Sequence, residues 1–105
     1  MRYIFIINPI AGVRNYERFI PWIEQYFEDP NKYEIHITEH AGHATEIASR
    51  YTVRDNVCVF SIGGDGTAYE VLNGLRDGVA MAVVPNGTGN DFHRTIYKKK
   101  FSTKD

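Results

Sequence analysis

The sequence predicts an α/β fold in three layers, an open parallel sheet with helices on both faces. Three observations predict it. Four short apolar runs, Tyr3–Ile7, Tyr33–Thr38, Val57–Ile62 and Ala80–Val84, alternate with segments of helical periodicity. The first run is unbroken, β-branched and aromatic, as in a strand buried on both faces. Two glycine-rich loops, each with a threonine and an aspartate, follow the third and fourth runs. In parallel sheets ligands sit at that end, beyond the carboxyl termini of the strands.

Each element has a local reason. Asn8-Pro9-Ile10-Ala11-Gly12 breaks the first strand. From about Tyr16 to Phe27 the apolar residues Phe19, Ile20, Trp22, Ile23, Tyr26 and Phe27 recur at helical spacing. Pro21 lies inside that pattern, so the helix either starts near it or kinks there. Asp29-Pro30-Asn31 is a turn. In Tyr33–Thr38, Tyr33, Ile35 and Ile37 alternate with Glu34, His36 and Thr38, which places this strand nearer an edge. His43–Tyr51 is a short helix with Ala44, Ile47, Ala48 and Tyr51 on one face. Thr67–Leu75 is a helix with Val71, Leu72 and Leu75 inward, closed by the region of Gly74 and Gly78. The last loop, Pro85-Asn86-Gly87-Thr88-Gly89-Asn90-Asp91, opens a helix from Asn90 or Asp91, and the lysine-rich stretch Tyr97–Asp105 frays.

Composition narrows the function classes. At 105 residues the chain is one small domain, with 43% hydrophobic residues to build a core. A net charge of −1 supplies no basic field for nucleic acid. Lys98-Lys99-Lys100 contribute about 1 kcal/mol each near an anionic surface, too little for firm attachment. The single cysteine, Cys58, sits in an apolar run and reads as a buried thiol in a reducing compartment. The first apolar stretch is too short to span a bilayer and carries no cleavage signature, so a cytoplasmic protein is expected.

The chemistry concentrates in Ser61-Ile62-Gly63-Gly64-Asp65-Gly66-Thr67. Glycines permit positive φ and close approach of a ligand to the backbone. A turn that leaves a strand and opens a helix aims N–H groups at an anion. Asp65 would repel a phosphate unless it works through Mg²⁺ or a proton, which points to phosphoryl transfer over passive anion binding. Thr67 either caps its helix or offers its hydroxyl to a phosphate. Glu70, one turn on, is stabilised by the helix dipole or orients a nucleotide's hydroxyl groups. Asn8, Pro9 and Gly12 sit at the same rim, and so does Thr38, although each of these is also an ordinary loop or strand-end residue. His40 and His43 lack a third ligand at metal spacing and read as surface residues. No Walker loop and no Gly-x-Gly-x-x-Gly after the first strand is present.

Taken together, Asn8-Pro9-Ile10-Ala11-Gly12, Thr38-Glu39-His40-Ala41-Gly42-His43-Ala44, Gly63-Gly64-Asp65-Gly66-Thr67 with Glu70-Val71-Leu72-Asn73-Gly74, and Pro85-Asn86-Gly87-Thr88-Gly89-Asn90-Asp91-Phe92 resemble, in order and spacing, the N-terminal nucleotide-binding domain of the diacylglycerol kinase catalytic family. That family includes bacterial lipid kinases, sphingosine kinases and ceramide kinases. The Gly-Gly-Asp-Gly-Thr core is shared with NAD kinases, so an NAD kinase-like nucleotide kinase stays as an alternative. So does a non-catalytic nucleotide-binding or assembly module.

The resemblance implies a Rossmann-like domain over 1–105 that binds ATP and Mg²⁺. Asn8, Pro9, Gly12, Thr38, Gly63, Gly64, Asp65, Gly66, Thr67, Glu70, Gly87 and Thr88 would line the ATP site, with glycine backbones cradling the phosphates. Asp65 would be the catalytic carboxylate, holding Mg²⁺ through water or joining an acidic network near the γ-phosphate. Asn90 and Asp91 would shape the cleft floor. The acceptor would be a lipid hydroxyl, such as that of diacylglycerol, met peripherally at a membrane and activated by a carboxylate base. Two-domain relatives are expected at roughly two to three times this length. Their second, β-rich domain would carry the base and the lipid pocket, so this chain alone is expected to be inactive and to need that domain or another chain. A homo-oligomer is a further expectation, through an apolar patch left where that domain would pack.

Overall fold

The computed structural model describes residues 1–9 and 19–84. Within them the chain runs β1 (Arg2–Ile7), α1 (Phe19–Tyr26), β2 (Tyr33–Ile37), α2 (His43–Ala48), β3 (Val57–Ile62), α3 (Asp65–Gly74) and β4 (Ala80–Val84). All strand pairs are parallel, in the order β2-β1-β3-β4. Gly12, the second glycine-rich loop with Gly87, Thr88, Asn90 and Asp91, the helix expected after it and the lysine-rich end lie outside the described residues.

Alternation along the strands builds two cores. Tyr3, Phe5 and Ile7 of β1 share a face with Cys58, Phe60 and Ile62 of β3, and Phe19 and Ile23 of α1 cover it. Ile4, Ile6, Val57 and Val59 point the other way, under Ala44, Ile47 and Ala48 of α2 and Val71 of α3. The step from β1 to β2 runs in one direction across the sheet, and the steps to β3 and β4 run in the other. Right-handed crossovers then put α1 on one face and α2 and α3 on the opposite one. Each large side chain fully buried this way contributes about 1.5–3 kcal/mol. β1 and β3 are the central strands, and Tyr3–Ile7 and Val57–Ile62 are buried throughout. β2 is an edge strand, as its alternation predicts, with Tyr33–His36 half-buried and Ile37 exposed. The Cys58 thiol is buried, and burial pushes its pKa up to about 12.

A network absent from the sequence reading holds that edge. Glu34 and His36 point to the α2 face of β2. Arg2 Nη1 donates to Glu34 Oε2 at 2.6 Å, Tyr51 OH donates to Glu34 Oε1 at 2.7 Å, and His36 Nε2 lies 3.0 Å from the same oxygen. Burial, then the bond to Glu34, raises the Tyr51 pKa and keeps its phenol a donor.

Three expectations need correction. The third helix starts at Asp65, two residues before Thr67, because Gly64 takes an extended conformation (φ −104°) and serves as its N-cap. Leu72 does not face inward: it is 58% exposed, whereas Val71 is fully buried. Val71 follows Thr67 by four residues and shares its sheet-facing stripe, and Leu72 lies about 100° further round. The second helix ends at Ala48, not Tyr51. Tyr51 is still buried, because the chain turns its ring back onto the sheet after the helix has closed.

Candidate nucleotide-binding crevice

Strand order reverses between β1 and β3, since the chain leaves β1 toward β2 on one side and returns to β3 on the other. In open α/β sheets the crevice at that point is where ligands bind. Asn8 and Gly63 follow the two strands that flank it. The Asn8 N–H donates to the Ile62 carbonyl at 2.9 Å, and the Thr38 N–H donates to the Ile7 carbonyl at 2.8 Å. The loops after β1, β2 and β3 are therefore tied edge to edge, which brings Asn8, Pro9, Thr38, Gly63 and Gly64 to one rim.

The start of α3 follows Gly63 and Gly64 at this rim. No side chain caps it; the Thr67 N–H donates to the Gly64 carbonyl at 3.1 Å, which leaves the Asp65 and Gly66 amides for another acceptor. Asp65 occupies the first helical position, exposed to solvent, and Gly66 beside it is exposed as well. No neighbour lies within 4 Å of a Cβ built on Gly66, so the backbone there is open to close approach. None of Gly63, Gly64 and Gly66 uses positive φ; among the described glycines Gly42 and Gly78 do, each at +83°. What Gly63 provides is room. A Cβ there would stand 2.7 Å from Thr67 Cβ, closer than real carbon contacts allow.

Thr67 is not the helix cap. It is the third residue of α3, and its side chain packs down on Gly63 with Oγ1 buried. Glu70, one turn on, turns toward α2. Its Oε1 accepts from the Gly42 N–H at 3.1 Å, and its carbonyl accepts from Thr45 Oγ1 at 2.7 Å. A cleft of about 220 Å³ opens between these elements, lined by Asn8, Thr38, Glu39, His40, Ala41 and Glu70. Nothing in the sequence marks Glu39, His40 and Ala41 as lining residues except their adjacency to Thr38. His40 and His43 stack at 4.6 Å between ring centroids. The Glu39 N–H donates to His43 Nδ1 at 3.0 Å. Among the described residues no group of three or more His, Cys, Asp or Glu side chains could hold a metal.

The family model for the diacylglycerol kinase catalytic domain matches residues 2–104. The chain belongs to the diacylglycerol kinase catalytic-domain family. A diacylglycerol kinase of Bacillus subtilis (strain 168) is 36% identical over 96 residues, which cover 87% of this chain and 31% of that protein. Sphingoid long-chain bases kinase 1 of Arabidopsis thaliana is 36% identical over 108 residues, covering 90% of this chain and 14% of its own length. A crystal structure of a diacylglycerol kinase from Bacillus anthracis str. Sterne superposes with a TM-score of 0.61 and 29% identity over 98% of this chain and 39% of that one. The chain thus spans about a third of the bacterial family members it matches. No helix among the described residues is long and apolar enough to cross a membrane.

Proposed function

We propose that residues 1–105 form the ATP-binding domain of a lipid kinase that transfers the γ-phosphate of ATP to a lipid hydroxyl such as that of diacylglycerol. The observation that carries this reading is the position of Asp65, exposed in the first turn of an uncapped helix that follows β3, one of the two strands flanking the switch point. An anion is drawn to the leading amides of α3. A lone carboxylate beside them repels that anion unless a cation lies between the two. Mg²⁺ is commonly held by one or two carboxylates, water and substrate phosphates, so one exposed aspartate suits it without a protein cage. Asp65 would hold the ion through water, and Mg²⁺ when bound would neutralise charge on the phosphates.

The remaining residues bind and orient. Gly64 and Gly66 let the phosphates approach the backbone, and Asn8 and Thr38 border the crevice beside them. Glu70 borders the cleft while anchoring α2. Gly12, Gly87, Thr88, Asn90 and Asp91 belong to the same proposal on the strength of their motifs alone. The general base and the lipid pocket are assigned to a second domain or another chain, so the 105-residue chain binds MgATP and does not phosphorylate lipid. Both acyl-glycerol and sphingoid-base kinases occur among the relatives, and diacylglycerol is the acceptor proposed first.

Calorimetry on the purified chain tests this, with NAD as the comparison ligand. One saturable MgATP site per chain and no NAD binding is expected. Binding of NAD in preference to MgATP would instead favour an NAD kinase-like reading.

A further inference from the structure

Among the described residues two hydroxyls near the crevice are buried without a hydrogen-bond partner, Ser61 Oγ and Thr67 Oγ1. Ser61 lies near the end of β3, on the face that α3 covers, and is 1% exposed. Thr67 is 2% exposed and lies against Gly63. Buried side-chain oxygens are nearly always bonded, so an orphan at a functional turn calls for a physical reason. Packing does not supply one. Valine has the shape of threonine and would fill the space against Gly63 with no polar atom to desolvate.

The burial also limits what the hydroxyl can do. Oγ1 has no access to the crevice, so it does not touch a ligand there. It reaches the Gly63–Gly64 turn, the segment that leads into the amides of α3. We propose that Thr67 is a positioning residue. Its hydroxyl is a hydrogen-bonding group held in reserve behind the turn and becomes paired when an anion draws Gly63 and Gly64 into their bound conformation. Ser61 lies on the same side of the turn and is a second hydroxyl available to that rearrangement. The proposal rests on the nucleotide-binding reading above and adds a role to a residue that makes no contact with nucleotide.

Thr67→Val and Thr67→Ser give opposite signatures. Thr67→Val keeps the shape and removes the orphan hydroxyl, so it should melt at or above the wild-type temperature while binding MgATP about tenfold more weakly. Thr67→Ser keeps the hydroxyl and loses a methyl group packed on Gly63, so it should melt lower and keep wild-type affinity. Thermal unfolding followed by circular dichroism and calorimetry with MgATP read the two properties separately on the 105-residue chain. Wild-type affinity in Thr67→Val overturns the positioning role alone. A lower melting temperature in Thr67→Val overturns it too, because the hydroxyl would then already have been paired. A wild type that binds no MgATP overturns the nucleotide-binding reading and this proposal with it, whatever the variants do.

Discussion

The Gly42 amide donates to the Glu70 carboxylate across 3.1 Å, and this bond ties the loop after β2 to the helix after β3. Gly42 is the N-cap of α2, and it presents its amide from a left-handed conformation at φ +83°. Thr45 Oγ1 closes a second link to the Glu70 carbonyl, and a Cβ on Gly74 would meet the carbonyl group of Thr45, 2.9 Å from its carbon. α2 and α3 are thus held by one side of each helix. Glu70→Ala should lower stability by about 1 kcal/mol, the net worth of a partly exposed hydrogen bond, while Glu70→Gln keeps an acceptor and most of the stability. Urea unfolding of the three proteins measures this.

Gly74→Ala should cost more than Glu70→Ala, because the added carbon meets main chain that cannot rotate away. Overpacking of this kind costs about 1–3 kcal/mol. Gly66→Ala, with open space around it, should cost only the small change expected in a first helical turn. Chemical denaturation that ranks Gly74→Ala as the milder change would refute the close α2–α3 contact.

Asp65→Asn should leave the fold intact, since the side chain is exposed. Its loss of MgATP affinity should be at least tenfold, about 1.4 kcal/mol. Titrating wild type and variant with ATP in the presence and absence of Mg²⁺ separates the two roles of the carboxylate. The wild type should gain affinity from Mg²⁺ and Asp65→Asn should gain little.

Acid should loosen the β2 edge. Burial alone lifts the Glu34 carboxyl, but the bonds from Tyr51, His36 and Arg2 and the Arg2 charge outweigh it and hold the pKa below its ordinary 4.5. A carboxylate lowered on folding adds stability that is complete above its unfolded pKa and disappears as pH falls through the folded one. Stability should therefore drop below about pH 5, and Glu34→Gln, less stable at neutral pH, should show a flatter acid limb. Melting curves across that range decide it, and parallel acid limbs would exclude Glu34 as their source.

Tyr69, Leu72 and Val83 are exposed large apolar residues on α3 and β4. Leu72→Glu should change monomer stability by less than about 0.5 kcal/mol, whereas Val71→Ala, one residue away in the core, should cost about 2 kcal/mol. If the chain self-associates through this flank, light scattering should show Leu72→Glu monomeric at concentrations where the wild type is larger.

The sequence by itself determined the strands, their parallel arrangement and the rim that gathers Asn8, Thr38, Gly63 and Gly64. Those features are written in unbroken or alternating apolar runs and in glycines placed just after strand ends, patterns that need only neighbouring residues to be read. Tertiary structure decided where Thr67, Leu72 and the β2 edge residues are placed. Thr67 reads equally well as a cap or a phosphate contact until Gly63 is seen beneath it. Leu72 and Val71 look alike until α3 is set on the sheet with one stripe inward. Alternation puts Glu34 and His36 on one face of β2, but no local pattern links them to Arg2 or Tyr51; only the pairing of β1 with β2 and the return of the chain after α2 bring the four together. Side-chain burial and hydrogen bonding depend on which distant segment arrives next to a residue, and local periodicity carries no record of that.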